Sequence, residues 1–205
     1  MSPTDAEDVS LTTLDYYRDN AADFGLSTSN LDMSDLQDRF LAELKPGASI
    51  LDFGCGSGRD SLYFLNRGFD VEAADGCPEL CRLASAATGL AVRQMLFSQL
   101  DAVERYDGIW ACASILHAPK NELPDIFLKM RRALKAGGVI YASFKYGESE
   151  GLRHGRYFSD FTEKSFAEFL RSDSGLEIRA WWVTGDVRSG REGEKWLNLL
   201  LGRAS

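Results

Sequence analysis

Two carboxylates and three glycines carry the clearest chemical signal in the sequence. Asp52 is followed by Gly54, Gly56 and Gly58, and Asp75 stands at the end of the next predicted strand. Glycine has no Cβ, so a ligand can approach the main chain of such a segment closely. A carboxylate just before the first glycine suits a ligand that carries an ammonium group. A second carboxylate can accept two hydrogen bonds, as from the hydroxyls of a ribose.

Two common phosphate-binding patterns do not fit this glycine segment. The dinucleotide pattern G-x-G-x-x-G requires a glycine at position 59, where the chain has Arg59. A P-loop requires Gly-Lys followed by Ser or Thr, and no such sequence follows here. Asp52 would also be badly placed against a pyrophosphate. The residues therefore favour an adenosine that carries an amino acid and no phosphates.

Apolar runs and helix-forming segments alternate on both sides of the glycine segment. We expect strands over 49–53, 69–73, 91–95, 106–112 and 139–144, and helices over 59–67, 78–87 and, with Asn121 as N-cap, 121–134. Strands that alternate with helices in this way form an open parallel sheet with right-handed crossovers. The glycine segment then lies at the carboxyl end of a strand, where ligands bind in such sheets.

The two ends of the chain add elements to this core. We expect N-terminal helices over 11–24 and 31–44, a helix from an N-cap at Thr162 to residue 172, and antiparallel edge strands over 176–184 and 196–201. The residues between 146 and 161, with His154 among them, are predicted to form a loop. We expect a single domain, with a helical lid in 1–45, the ligand-binding core in 46–145, and a cap with the last strands in 146–205.

Composition and charge exclude several classes of protein. The 205 residues include 23 basic and 31 acidic side chains, a net charge of −8, which argues against wholesale nucleic-acid binding. No apolar run approaches the roughly 18 residues of a membrane-spanning helix, and the acidic N-terminus lacks the features of a signal peptide. We therefore expect a cytoplasmic protein that binds neither nucleic acid nor membranes. Its cysteines, Cys55, Cys77, Cys81 and Cys112, form no CxxC pair, so we expect reduced packing residues and no bound metal.

Several motifs in the central part of the chain occur in an order that resembles a known enzyme family. They are the segment 51–63 with its D-x-G-x-G-x-G pattern, Tyr106-Asp107, Leu116-His117 and the segment 134–138. In this order they resemble the class I S-adenosylmethionine-dependent methyltransferases, in particular the tellurite-resistance-type branch and its small-molecule relatives. The resemblance covers about residues 49–145. It implies a Rossmann-like three-layer α/β sandwich, whose seven-stranded, mostly parallel sheet ends in an antiparallel pair.

The resemblance also implies S-adenosylmethionine as the cofactor and assigns residues to it. The glycines would pass its methionine part, Asp52 would help to hold its ammonium group, and Asp75 would bind both ribose hydroxyls. Many relatives have Asp at the position of Leu96, so backbone groups or Gln94 would have to replace that contact to adenine. The residues assigned to the cofactor are Tyr17 (or Tyr16) as an aromatic lid, Asp52, Gly54, Cys55, Gly56, Gly58, Arg59, Asp75, Gly76, Leu96 and Phe97 near the adenine, and Cys112 and Ala113 near the sulfonium.

The expected function is methyl transfer from S-adenosylmethionine to a small-molecule acceptor. Because the methyl group is already activated, the protein mainly has to place the acceptor in line with the S–CH₃ bond. His117 is the candidate for orienting or deprotonating a hydroxyl or an amine. A thiolate or a reduced chalcogen anion would need no base and would be attracted by arginines such as Arg59.

Two other functions remain open at this point. A nicotinamide-dependent oxidoreductase would share the glycine segment and the ribose carboxylate, but it predicts glycine at position 59 and parallel strands to the end. A non-catalytic protein that binds S-adenosylmethionine would need none of the catalytic groups. Four side chains of the last segment are candidates for the mouth of the pocket, namely Arg188, Arg191, Lys195 and Asn198.

Overall fold

A seven-stranded sheet runs through the centre of the protein. This computed structural model describes residues 3–170 and 174–203. Its strands are β1 (Ser49–Phe53), β2 (Asp70–Asp75), β3 (Arg93–Gln94), β4 (Tyr106–Ala111), β5 (Leu134–Lys145), β6 (Glu150–Arg153), β7 (Arg156–Ser159), β8 (Leu176–Gly185) and β9 (Lys195–Arg203). The order in the sheet is β3-β2-β1-β4-β5-β9-β8, and β6 and β7 form a separate hairpin. The pairs among β1 to β5 are parallel, whereas β9 is antiparallel to β5 and β8. The predicted sheet class is therefore confirmed, with β8 alone at that edge.

Helices cover both faces of the sheet. They are α1 (Pro3–Asp19), α2 (Ala21–Thr28), α3 (Ser34–Leu41), α4 (Arg59–Leu65), α5 (Pro78–Thr88), α6 (Leu123–Ala133) and α7 (Glu163–Phe169). Within the described ranges, no helix is long and apolar enough to cross a membrane.

Neighbouring residues of the central strands belong to two different cores, because side chains alternate between the two faces of a sheet. On β1, Ile50 packs in one cluster with Phe40 of α3 and Phe64 of α4. The next residue, Leu51, packs in a second cluster that contains Phe127 of α6. The two clusters give the three layers of the predicted α/β sandwich and hold the strand ends in place.

The strand order creates a crevice at the carboxyl ends of β1 and β4. β1 pairs with β2 on one side and with β4 on the other. The strands that follow β1 are therefore added first on one side of it and then on the other. In open α/β sheets, ligands bind in the crevice at this switch point. The glycine segment follows β1 directly and therefore lies at the crevice.

The predicted helix over 11–24 is two helices in the structure. α1 ends before Asn20, whose backbone is not helical, with φ −116° and ψ 14°. The Asn20 side-chain amide donates to the carbonyl oxygen of Tyr16 at 2.8 Å. Short polar side chains that bond to the nearby main chain in this way compete with helix continuation. Residues on both sides of this break, among them Tyr17 and Phe24, line the cavity described below.

The second N-terminal helix is shorter than the predicted range 31–44. α3 begins at Ser34, whose backbone N–H donates to the Asp32 carboxylate at 2.9 Å. This bond closes a turn before the helix and takes 31–33 out of it. At the other end, α3 ends at Leu41, and non-helical residues 42–45 separate it from Pro46, where the sequence predicts the end of the helix.

The predicted loop over 146–161 contains the hairpin of β6 and β7. Arg153 pairs with Arg156, so the turn consists of His154 and Gly155, with φ of 49° and 76°. Two-residue turns with positive φ match the twist of the strands that they connect. The sequence did not indicate this hairpin, because the strongest hairpin turns have Asn or Asp before the glycine and this chain has His154 there.

Helix α6 begins at Leu123, so the prediction of Asn121 as its N-cap was wrong. Glu122 precedes the helix, and Pro124 occupies its first turn, where the missing N–H of proline is not needed. β5 follows α6 directly from Leu134, five residues before the predicted start at 139.

Helix α7 has the predicted N-cap. Oγ1 of Thr162 accepts a hydrogen bond from the backbone N–H of Ser165 at 3.1 Å, and the Ser165 hydroxyl completes a capping box. α7 ends at Phe169. The predicted helix end at residue 172 lies outside the described residues.

Candidate active site

A cavity of about 580 Å³ opens at the carboxyl ends of the parallel strands. Its floor comes from the segments that follow β1, β2, β3 and β4, which are 54–57, 75–76, 95–98, 112–114 and 116–118. α1 and α2 contribute side chains on one side, and β5, β7 and the loop between β8 and β9 contribute on another. Small-molecule sites typically have volumes of about 300–1,000 Å³. The cavity is therefore of the size and at the place expected for such a site.

The glycine loop turns sharply between β1 and α4. Gly54 has φ 87°, and a Cβ at this position would lie 2.4 Å from Cβ of Ser114. A larger residue would therefore require both a strained backbone and a displaced β4 loop. Gly54 and Gly56 line the cavity, as do Cys55 and Arg59 from the predicted set.

Two residues of the predicted set, Asp52 and Gly58, lie outside the cavity lining. A Cβ at Gly58 would lie 3.0 Å from Cα of Ala84, so this glycine lets α4 and α5 pack closely. Asp52 is 2% exposed, and its Oδ2 accepts a hydrogen bond from the Ser61 hydroxyl at 2.5 Å. Burial, and then the charge of Asp60, raises the pKa of Asp52. The contacts of both residues with a cofactor stay predictions.

Asp75 lies in the cavity wall at the end of β2. Its Oδ2 accepts a hydrogen bond from Gly56 N at 2.9 Å, and its Oδ1 accepts one from Cys77 N at 2.8 Å. Burial raises the pKa of Asp75 to about 6, although these N–H groups and that of Gly76 lower it. Each carboxylate oxygen has two lone pairs. Asp75 can therefore accept two further hydrogen bonds from adjacent hydroxyls.

Leu96 and Phe97 form an apolar wall after β3, in the cavity lining with Asp75. Gln94 has an exposed side chain within β3 and lies outside the cavity lining, so it does not replace the missing aspartate. Ser98 lines the cavity next to Phe97 and brings a hydroxyl to this end. Ser98 was not among the predicted site residues, because only its position after a two-residue strand could have indicated it.

Arg59 forms an ion pair with its neighbour Asp60. Its Nε and Nη2 donate to the two carboxylate oxygens at 2.8 Å each. Asp60 also accepts hydrogen bonds from Trp110 Nε1 at 2.8 Å and from Gln37 Nε2 at 2.7 Å. Burial raises the pKa of Asp60, but Arg59 and these donors hold it below its usual value. Asp60 was given no role in the sequence-based prediction. It neutralises Arg59, which was expected to attract an anionic acceptor.

Cys112 and Ala113 line the cavity at the end of β4, and their contact with the sulfonium stays a prediction. Ala113 has φ 50°, which is rare for a residue other than glycine, and its N–H donates to the Ser143 hydroxyl at 2.8 Å. Burial raises the pKa of Cys112 to about 12. The Cys112 thiol is therefore protonated at neutral pH and does not act as a nucleophile.

His117 lies in the cavity wall and bonds through both ring nitrogens. Its Nδ1 is 2.6 Å from the carbonyl oxygen of Tyr157, and its Nε2 is 2.8 Å from the Tyr17 hydroxyl. Because a carbonyl only accepts, Nδ1 carries the proton and Tyr17 donates to Nε2. Burial lowers the pKa of His117 to about 4, so the imidazole is neutral at pH 7. The candidate lid residue and the candidate catalytic residue therefore form one hydrogen-bonded unit.

The last third of the chain closes the far side of the cavity. From the hairpin, Arg156 and Phe158 line it, whereas His154 is exposed at the turn. Of the four residues predicted at the mouth, Arg188, Arg191 and Asn198 line the cavity, and Lys195 does not.

The central part of the chain is similar to known methyltransferases. Residues 50–138 match the model of a family described as methyltransferase domain. The malonyl-[acyl-carrier protein] O-methyltransferase of Salmonella typhimurium is 32% identical over 97 residues, which are 45% of this chain and 37% of that protein. The chain spans less than half the length of the curated relatives that it matches.

Solved structures extend the similarity to nearly the whole fold. The 1,6-didemethyltoxoflavin-N1-methyltransferase of Burkholderia thailandensis, with bound 1,6-didemethyltoxoflavin and S-adenosylhomocysteine, superposes with a TM-score of 0.79 at 23% identity. The superposition covers 98% of this chain and 91% of that one. A TehB-like methyltransferase of Corynebacterium glutamicum gives a TM-score of 0.63 at 21% identity, with 98% and 100% of the two chains covered.

These similarities give no support to a nicotinamide-dependent oxidoreductase, and the antiparallel β9 also argues against one. Residues 50–138 thus resemble the methyltransferase-domain family, and the fold is the one seen in solved S-adenosylmethionine-dependent methyltransferases.

Proposed function

We propose that this protein transfers a methyl group from S-adenosylmethionine to a small-molecule acceptor. The position of Asp75 carries this proposal. Its carboxylate lies in the cavity wall at the switch point of the sheet. Each carboxylate oxygen accepts one backbone hydrogen bond and retains a free lone pair. The neighbouring glycine loop has no phosphate-binding pattern. A ribose with two free hydroxyls fits this carboxylate, and a methyltransferase domain uses such a ribose in its cofactor.

The residues present fit the cofactor along the cavity. Asp75 would hold the ribose hydroxyls, Leu96 and Phe97 would contact the adenine, and the main chain of Gly54 and Gly56 lies where the amino-acid part would pass. When bound, the cofactor supplies a methyl group on a sulfonium, which needs no further activation. The contribution of the chain is to orient the acceptor and to exclude water from it.

Tyr17 and His117 are the candidate groups for contact with the acceptor. A general base works best when its pKa lies near the working pH, and burial holds the pKa of His117 at about 4. The lone pair on Nε2 is also occupied by Tyr17. We therefore assign His117 the role of positioning the Tyr17 hydroxyl. The oxygen of that hydroxyl accepts a hydrogen bond from Arg156 Nη1 and retains one lone pair, with which it can orient an acceptor.

The enclosure of the cavity supports a small-molecule acceptor. Side chains of α1, α2 and the β6–β7 hairpin face the same space as the glycine loop. The Burkholderia thailandensis methyltransferase, which shares this fold, binds 1,6-didemethyltoxoflavin. A net charge of −8 further disfavours a nucleic-acid acceptor.

Calorimetry with S-adenosylmethionine, S-adenosylhomocysteine and NAD tests the cofactor. We expect the two sulfur compounds to bind and NAD not to bind. Asp75→Ala should weaken S-adenosylhomocysteine binding by about 10- to 100-fold, because a charged hydrogen-bond partner contributes about 1.5–3 kcal/mol. Asp125→Ala, which removes an exposed carboxylate of α6, is the matched control and should change nothing. Binding of NAD alone would overturn the proposal, and unchanged affinity in Asp75→Ala would overturn the ribose contact.

Turnover distinguishes an enzyme from a binding protein. Transfer of a labelled methyl group should be measured against phenols, amines, thiols, carboxylic acids and chalcogen oxyanions. We expect turnover with at least one class. Tight binding of S-adenosylmethionine without turnover in any class would favour the non-catalytic alternative.

A further inference from the structure

Most cationic side chains that line the cavity are neutralised by a carboxylate of the protein. The pairs are Arg59 with Asp60, Arg188 with Asp186, Arg191 with Glu194, and Lys145 with both Asp186 and Glu194. Arg156 lines the same cavity and forms no ion pair with any residue in the described parts of the chain. It is therefore the cation of this cavity whose charge the protein leaves uncompensated.

Arg156 is held by aromatic rings rather than by acids. Its guanidinium carbon is 4.5 Å from the ring centre of Tyr16 and 5.2 Å from that of Phe158. Its Nη1 is 3.4 Å from the Tyr17 hydroxyl, and its Nε is buried without a hydrogen-bond partner. A buried donor without a partner is unfavourable, and no acid of the described chain compensates the charge of this guanidinium. A ligand with an anionic group would supply the missing counter-charge.

A second, outer cleft also reaches Arg156. It has a volume of about 230 Å³ and is lined by Arg156, Arg188 and Arg191 together with residues of α1 and α2. No residue of the glycine loop, 54–58, lines it. Arg156 therefore lines both the main cavity and this outer cleft. Arg188 and Arg191 keep their acid partners here, and Asp23 also lines the cleft, so Arg156 is the cation at this opening that has no ion pair among the described residues.

Aromatic side chains line the cavity beside Arg156. Phe158 and Tyr17 lie on its side, and Phe24, Tyr141 and Trp196 line other parts of the wall. Flat aromatic walls with a few placed polar groups are typical of sites for planar small molecules.

We infer that the methyl acceptor is a planar organic anion and that Arg156 binds its carboxylate or similarly delocalised oxyanion. The inference rests on the proposed function, since it names the acceptor class of that site. The guanidinium presents paired N–H donors whose spacing matches the two oxygens of a carboxylate. Arg156 thus selects anionic over neutral acceptors and fixes the end of the acceptor that does not react.

Matched anionic and neutral probes test this inference on the protein saturated with S-adenosylhomocysteine. The pairs are 4-hydroxybenzoate and 4-hydroxybenzamide, salicylate and salicylamide, and indole-3-carboxylate and indole-3-carboxamide. For at least one pair we expect the anion to bind about tenfold more tightly than the amide. Arg156→Gln should abolish that preference, and Arg156→Lys should restore part of it. Arg82→Gln is the matched control, because it removes an exposed cation that is paired with Glu79 and lines neither the cavity nor the outer cleft.

The outcomes separate this inference from the proposed function. If no pair shows a preference for the anion, or if the preference survives in Arg156→Gln, the inference is wrong. If Arg156→Gln instead weakens S-adenosylhomocysteine binding tenfold or more, Arg156 holds the carboxylate of the cofactor, and the inference is again wrong while the proposed function stands. If the wild-type protein does not bind S-adenosylhomocysteine, the proposed function itself fails.

Discussion

Three neighbouring carboxylates at the glycine loop have different charge states because their surroundings differ. Asp60 is ionised, since Arg59, Trp110 and Gln37 donate to it. Asp52 is buried with one hydroxyl donor, so its pKa is raised and its neutral form is favoured. Asp75 has two backbone donors and an open side towards the cavity, and its pKa is raised to about 6. Of the three, Asp75 is thus the carboxylate that changes charge just below neutral pH.

The affinity for S-adenosylhomocysteine should therefore depend on pH through Asp75. Hydroxyl donors favour the ionised carboxylate, so binding lowers the pKa of Asp75 below the value of about 6 in the free protein. Below pH 6 the free protein carries a proton that binding must release, and affinity falls as the pH falls. Calorimetry should show Kd to rise by about tenfold between pH 7.5 and pH 5.

The matched variant for this measurement is Asp75→Asn, which keeps the size of the side chain and removes its titration. It should bind more weakly than the wild type at pH 7.5 and show a flat profile down to pH 5. The same pH dependence in both proteins would assign the titration to another group.

At the scale of elements, the parts that could be predicted from the sequence are those with a local pattern. The strand before the glycine loop, the Thr162 cap and the antiparallel end of the sheet follow from hydropathy and capping over a few residues. The upper wall of the cavity depends on contacts between distant residues. Tyr17 bonds to His117 across 100 positions, and Arg156 lies 139 positions from Tyr17. No local pattern indicates such pairs.

The same reason explains why the prediction for His117 was incomplete. Its position after β4 could be read from the sequence, but its chemistry depends on Tyr157 and Tyr17, which belong to the hairpin and to α1. The role of Asp60 was missed likewise, because its donors Gln37 and Trp110 come from α3 and β4.

The turn of the β6–β7 hairpin should be sensitive to Gly155. Its φ is 76°, and a Cβ there would lie 3.0 Å from Cδ2 of Tyr16, the ring on which Arg156 rests. Gly155→Ala should lower the free energy of unfolding by about 1–2 kcal/mol, because the left-handed backbone is unfavourable for residues with a Cβ. Thermal denaturation should show Tm to fall by about 2–8 °C.

His154→Asn is the control for this turn. His154 also has a positive φ, 49°, and asparagine adopts this conformation more readily than most residues. We expect an unchanged or slightly higher Tm for His154→Asn. Equal losses in the two variants would show that the backbone of the turn is not the cause.

At the scale of the whole molecule, the cavity joins parts of the chain that are far apart in sequence. Its floor comes from the ends of β1 to β4, and its walls come from α1 and α2 at one end of the chain and from β7 and the β8–β9 loop at the other. Tyr17 of α1 links to His117 and lies 3.4 Å from Arg156 of β7. A ligand in this cavity should therefore stabilise both terminal parts and not only the glycine loop.

Hydrogen exchange with and without S-adenosylhomocysteine tests this coupling. At a ligand concentration of about 100 Kd, binding stabilises the folded state by about 2.7 kcal/mol. We expect slower exchange in the loop 54–59 and in 75–77, and also in the second half of α1 and in the hairpin 150–159, because these segments meet at the cavity. Amides of α7 that already exchange by local opening serve as the internal control, since no residue of α7 lines the cavity and their rates should not change. Protection confined to 54–77 would mean that α1 and the hairpin fold over the cavity independently of the cofactor.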